Sequence, residues 1–198
     1  MPRISRRAPL VVGAALALLV AVPVAADTTG GPTNVDYAVA NSPDGSMVQV
    51  SHDYLAGESH LAVSTQWVEP VTCADGTTGE LDISLNGGGV PSTYSFGKQL
   101  SSASASGTIP ALQDVYNSCT SEQTEDAVSM TVTISLTGSK YTSTTNIRTV
   151  TKNPDGTTTT YAGKFTSVTA TGTFSINGVT TTASDAQIAH DEMTVKTK

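Results

Sequence analysis

From Val128 to Thr137 the chain alternates without a break. Val128, Met130, Val132, Ile134 and Leu136 fall on one side, and Ser129, Thr131, Thr133, Ser135 and Thr137 on the other. Side chains that change sides at every residue mark a half-buried strand with one apolar and one hydroxyl face. Leu81, Ile83 and Leu85 repeat the pattern, as do Leu61, Val63, Thr65 and Trp67. Ser101 to Ser106, where Ala103 and Ala105 alternate with serine, reads as a strand lying close beneath another element.

Turn chemistry punctuates these runs. Asn86-Gly87 and Asn177-Gly178 carry the dipeptide that tolerates positive φ at both centres of a tight hairpin, and the second lies between Ile176 and Val179. Pro-Asp-Gly occurs at Pro43 to Gly45 and again at Pro154 to Gly156, where proline presets φ for the turn and glycine closes it. Helical signals are confined to a turn or two over Pro110 to Asn117 and another over Ser184 to Ala189. The pattern predicts an all-β fold: an antiparallel β-sandwich of about ten strands, Ig-like or jelly-roll in style.

The start of the chain has a different character. Arg3, Arg6 and Arg7 precede an apolar run from Leu10 to Val22, and Val24-Ala25-Ala26 supplies small residues before Asp27. This is the layout of a secretory signal peptide, with cleavage expected after Ala26. The run is shorter than the roughly 20 residues that a spanning helix needs. Ser5-Arg6-Arg7 also fits part of a twin-arginine signal, but Pro9 and the strongly apolar run favour the general secretory route. Residues 1–26 are thus expected to be a signal peptide, 27–34 a disordered leader, and 35–198 a single β-sandwich domain.

Composition narrows the function classes. The chain has 198 residues with 38% hydrophobic and only 5% aromatic positions. Loss of the three leader arginines would take its formal charge from −7 to −10. Nucleic acid and anionic membranes need a basic patch to displace counterions, so neither is an expected partner. The processed protein is expected to be secreted and free of the membrane. Its partner would be an extracellular ligand, glycan or protein, and no feature of the sequence fixes an oligomeric state.

Cys73 and Cys119 are the only cysteines, and in an oxidising compartment they are expected to pair. Asp75 and Glu122 near them oppose a redox role, which needs positive charge to hold a thiolate. His52 and His60, with Asp53 and Glu58 between them, invite a metal site, and strand register tests the idea. If Val48, Val50, Leu61, Val63 and Trp67 line one core, position 50 pairs with 63 and 52 with 61 around a loop from Leu55 to Glu58. His52 then faces the core and His60 faces solvent opposite Asp53, so the two cannot share an ion. No metal and no cofactor is expected, and His190-Asp191-Glu192 lacks a partner for one.

Three further groups complete the candidate chemistry. Gly57-Glu58-Ser59-His60 resembles a nucleophile elbow but ends in Leu61 rather than glycine and leads into a strand, so Ser59 reads as a turn residue. Glu80 and Asp82 stand two apart on one strand face, about 7 Å from each other, and with Glu69 could serve paired-carboxylate chemistry on a polysaccharide. Asp75-Gly76 to Asp82 is an acidic loop that could attract calcium, without the spacing of an EF-hand. The leading expectation is an exported, non-enzymatic β-sandwich protein with a binding or surface-structural role. A secreted polysaccharide hydrolase or lyase is the alternative.

Overall fold

The structure is a computed structural model that describes residues 32–140 and 142–198. The expected signal peptide and its cleavage point lie outside these residues, as does most of the expected leader. The described residues form eleven strands: β1 (Thr33–Asn41), β2 (Met47–Asp53), β3 (Glu58–Thr72), β4 (Thr78–Gly89), β5 (Thr93–Phe96), β6 (Ser102–Asn117), β7 (Glu122–Gly138), β8 (Ser143–Lys152), β9 (Thr158–Ile176), β10 (Val179–Thr182) and β11 (Asp185–Thr197). A single 3-10 turn, Lys98–Leu100, is the one helical element among them. Thr33 and Asn34, expected in the leader, already belong to β1.

All ladders are antiparallel and join the strands into one sheet. Following the hydrogen bonds from β1 leads through β2, β3, β4, β6, β7, β9 and β11 and back to β1, a closed circuit of eight strands. The expected sandwich therefore meets one continuous sheet rather than two. Its walls still pack on one core, with β7 facing β1, β2 and β11 across it. Ala38, Val48, Val50, Leu61, Ile109, Met130, Val132, Ile134, Phe174 and Ile188 are buried there. Alanine or valine supplies 11 of the 20 buried residues of this cluster and Phe174 is its one aromatic, which suits a chain so poor in aromatics: narrow side chains let opposite walls approach.

Alternation and turns mostly fall as the pattern predicts. Asn177-Gly178 makes the β9–β10 hairpin with φ of 49° and 84°. The two Pro-Asp-Gly triplets close β1–β2 and β8–β9 with the same bonds. Ser46 and Thr157 each donate their backbone N–H to the aspartate two residues earlier, and Gly45 and Gly156 each donate to the carbonyl three residues back. Cys73-Ala74-Asp75-Gly76-Thr77 repeats this turn between β3 and β4 with alanine in place of proline.

Three expectations fail. Asn86-Gly87 is no turn but lies inside β4, opposite Leu112 and Ala111; a Cβ on Gly87 would stand 2.6 Å from that of Ala111, so the glycine serves close approach of strands. Pro110 to Asn117 lies in β6 and Ser184 to Ala189 leads into β11, where ladder bonds on both sides override a weak local helical preference.

The circuit does not hold its strands along their whole length. At one end β3, β4, β6 and β7 run on together as a four-stranded arm, tipped by Cys73 and Cys119, whose Cα atoms are 5.4 Å apart at disulfide-bonding distance. At the other, β8, the first half of β9 and the second half of β11 form a three-stranded arm. Most residues of both arms are exposed, and the buried core lies between them.

Candidate functional site

One tier from the apolar core, towards the β2–β3 turn, the inward positions turn polar. His190 on β11 stands opposite Asp36 on β1, Asp36 opposite His52 on β2, and His52 opposite Ser59 on β3. Period two places these residues on the same face as Ile188, Ala38, Val50 and Leu61. Asp36, His52 and Ser59 are 8%, 9% and 8% exposed.

Such burial requires partners, and the tier supplies them. Asp36 Oδ1 lies 2.8 Å from His190 Nδ1, and Asp36 Oδ2 accepts the Tyr54 hydroxyl at 2.6 Å. His52 Nδ1 lies 2.9 Å from Ser59 Oγ, and its Nε2 lies 3.5 Å from the Tyr94 hydroxyl. Two tyrosine rings enclose the imidazole: Tyr94 stacks on it at 4.7 Å and 27°, and Tyr54 meets it edge-on at 4.5 Å and 84°. Tyr54 comes from the β2–β3 turn, and Tyr94 from short β5, which takes over the edge of β6 beyond the end of β4. The rings remain 50% and 44% exposed. The hydrogen bond to Asp36, with burial and the charge of that carboxylate, pushes the Tyr54 hydroxyl up to about 12.

Ser59 and His52 are within reach for nucleophile activation, yet the rest of that machinery points elsewhere. A general-base imidazole is held and polarised by a group on its second nitrogen. Here that nitrogen faces a tyrosine hydroxyl at the limit of hydrogen bonding, while both oxygens of Asp36 are engaged by His190 and Tyr54. What the arrangement does well is hold two half-exposed rings on a rigid, hydrogen-bonded base.

The remaining candidate residues are dispersed. His60 faces away from His52 as expected, but the register differs by two: Val50 pairs with Leu61 and His52 with Ser59, around a loop of Tyr54 to Gly57. His60 consequently stands opposite Ser51 and lies 3.6 Å from Glu58, not beside Asp53. Ser59 is a buried strand residue and not a turn residue. Glu80 and Asp82 share one face of β4, whereas Glu69, opposite Leu81, lies on the other and accepts the Trp67 Nε1–H at 2.9 Å. Asp75 caps the β3–β4 turn through Thr77, whose hydroxyl and backbone N–H hold its carboxyl below the usual range. Asp191 lies on the face opposite His190; burial pushes its carboxyl up, and its Oδ1 has no hydrogen-bond donor among the described residues. No group of three or more His, Cys, Asp or Glu that could hold a metal occurs among the described residues. A shallow depression at the root of the disulfide arm, between Val63, Gly87, Pro110, Ala111 and Val128, has no titratable group in its lining.

Tyr54, Tyr94 and Asp36 were not legible as site residues. The one available signal was Asp36 itself, an acid in register with Ala38 and Ala40 within the otherwise apolar run from Val35 to Ala40. No family model matches the chain, and comparison with curated proteins and with solved structures finds no significant match.

Proposed function

We infer that the chain is an exported, non-enzymatic extracellular protein whose closed sheet serves as a sandwich-like scaffold for binding, with the Tyr54–His52–Tyr94 ring tier as the contact point. The observation that carries this reading is the pairing of two half-exposed tyrosine rings with a buried base whose polar atoms are already engaged. Aromatic faces ordered in advance lose little entropy on binding, and their hydroxyls offer donors to a glycan or a polar peptide surface. The setting is consistent with a life in water outside the membrane. The face of β7 turned away from the core carries Thr131, Thr133, Ser135 and Thr137, the reverse of the apolar band of a transmembrane barrel.

A glycan and peptide array probed with wild-type protein and with Tyr94→Ala tests the reading. Binding by the first and its loss in the second is expected. Release of reducing sugar from a bound polysaccharide would overturn it in favour of a hydrolase or lyase acting through Glu80, Asp82 or Glu69.

A further inference from the structure

Among the described residues each arm leaves a long strand edge without a ladder: β8 pairs only with β9, and the first part of β7, Glu122 to Met130, pairs only with β6. Beyond that point β7 turns to β9, and Thr131 is bonded to Asn177. The two open edges are nearly equal, ten residues of β8 against nine of β7. The other free edges are poorer templates: β3 beyond Ser64 carries Pro70, which has no N–H to donate, β11 is free only from Thr194 to Thr197, and β5 and β10 are only four residues long.

Charge separates the two edges. β8 holds Arg148 and Lys152 and no acid; Glu122 to Met130 of β7 holds Glu122, Glu125 and Asp126 and no cation. Their surroundings follow suit. With Lys164, Lys196 and Lys198 the arm of β8 carries five cations against Asp155, Asp191 and Glu192, while Glu69, Glu80, Asp82 and Asp114 share that of β7 without a cation. Backbone direction fixes the register: Asn153 donates to Thr157 and Thr131 accepts from Asn177, so even-numbered residues of β8 and odd-numbered residues of β7, Arg148 and Glu125 among them, turn their N–H and C=O to the open edges.

We propose that β8 of one copy pairs antiparallel with the open edge of β7 of the next, with Arg148 opposite Glu125. In that register residues 143–151 lie against 130–122, and Asn146 meets Ala127. Opposite charges facing across a ladder favour pairing and like charges oppose it. The corresponding contact of β8 with β8 sets Arg148 against Lys152, and that of β7 with β7 sets Glu122 against Asp126, so both symmetric dimers are disfavoured. A contact between two different surfaces propagates head to tail, into a ring or an open filament. The inference uses neither ring of the Tyr54–Tyr94 tier and holds or fails independently of any ligand there.

Analytical ultracentrifugation of the purified protein in low salt tests it. Species heavier than the monomer should grow with concentration and recede in high salt. R148E/K152E, acidic at both edges, and E122K/E125K/D126K, basic at both, should each remain monomeric, and mixing them in equal amounts should restore the heavier species. Hydrogen exchange in the assembled material should slow at residues 143–151 and 122–130, and Tyr94→Ala should assemble like the wild type. Wild-type protein that stays monomeric at every concentration, a variant that assembles alone, a mixture that does not assemble, or protection confined to other residues would each overturn the proposal.

Discussion

His190 Nδ1 lies 2.8 Å from Asp36 Oδ1, a bond across 154 residues of sequence that ties β11 to β1. Asp36 is the buried member and also accepts from Tyr54, whereas the His190 side chain is 32% exposed and can turn to water. Asp36→Ala leaves two donors without their acceptor and should cost about 1–3 kcal/mol. His190→Ala should cost less. Urea midpoints decide the order, and the reverse ranking would mean that the bond is not anchored by burial of the carboxylate.

Tyr54 extends this relationship to high pH. Its hydroxyl is raised to about 12 by its bond to Asp36, and that of Tyr37 to about 12, chiefly by burial. Unfolded tyrosines ionise near 10. The native state therefore holds these protons more tightly than the unfolded chain, so their stabilising contribution is complete below about pH 10 and lost as pH rises towards 12. Ultraviolet titration should resolve two late phenols, and Tyr54→Phe should delete one of them while leaving that of Tyr37.

Asp191 acts in the opposite pH range. Burial raises its carboxyl above 3.8, against the lowering effect of His190. A raised carboxyl contributes most below the unfolded value and loses that contribution as pH climbs through the folded one. Asp191→Asn removes the buried charge, so it should raise the melting temperature at pH 7, by an amount that vanishes near pH 3. An equal gain at both pH values would assign the effect to packing instead.

Strand character and most turns were legible because both are local. Val128 to Thr137 announces its period residue by residue, and Asn177-Gly178 its turn. What failed needed knowledge of neighbours. Asn86-Gly87 has the chemistry of a hairpin, yet it lies in β4 because β3 and β6 flank it there, and Pro110 sits within β6 although it cannot donate to a ladder. Facing valines fix the parity of the β2–β3 register but not its count, which is why His52 was placed on the correct face and two residues out of position. The ring tier joins β1, β2, β3, β5 and β11, a conjunction that no window of sequence contains.

The disulfide lies at the tip of an arm, remote from the core. Cys73 and Cys119 enclose a loop of 46 residues, for which the chain-entropy estimate is about 4 kcal/mol. Because core residues such as Phe174 and Ile188 lie far along the sheet, reduction should first release the distal parts of β3, β4, β6 and β7. Hydrogen exchange should accelerate there, with the centres of β2 and β11 still protected and the overall denaturation midpoint lowered. Uniform acceleration would mean that the arm and core unfold as one.

Gly138 ends β7 against the carbonyl of Leu100, and a Cβ at that position would overlap the oxygen. Gly138→Ala should therefore destabilise by about 1–3 kcal/mol, by displacing Leu100 from the core. A variant as stable as the wild type would show that the Lys98–Leu100 turn yields freely.

The seam between β1 and β11 also governs the order of events as the chain folds. Ladders such as β2–β3 and β6–β7 join neighbours and can form early, but the circuit closes only when the last strand meets the first. A chain that emerges N-terminus first must keep β1 waiting, with its outer edge bare, until some 150 further residues have followed. Distant pairings of this sort are slow because the loop must be closed before any contact offsets its entropy. The molecule thus has a long vulnerable interval before its final strand arrives, when an unrelated strand could take the place reserved for β11.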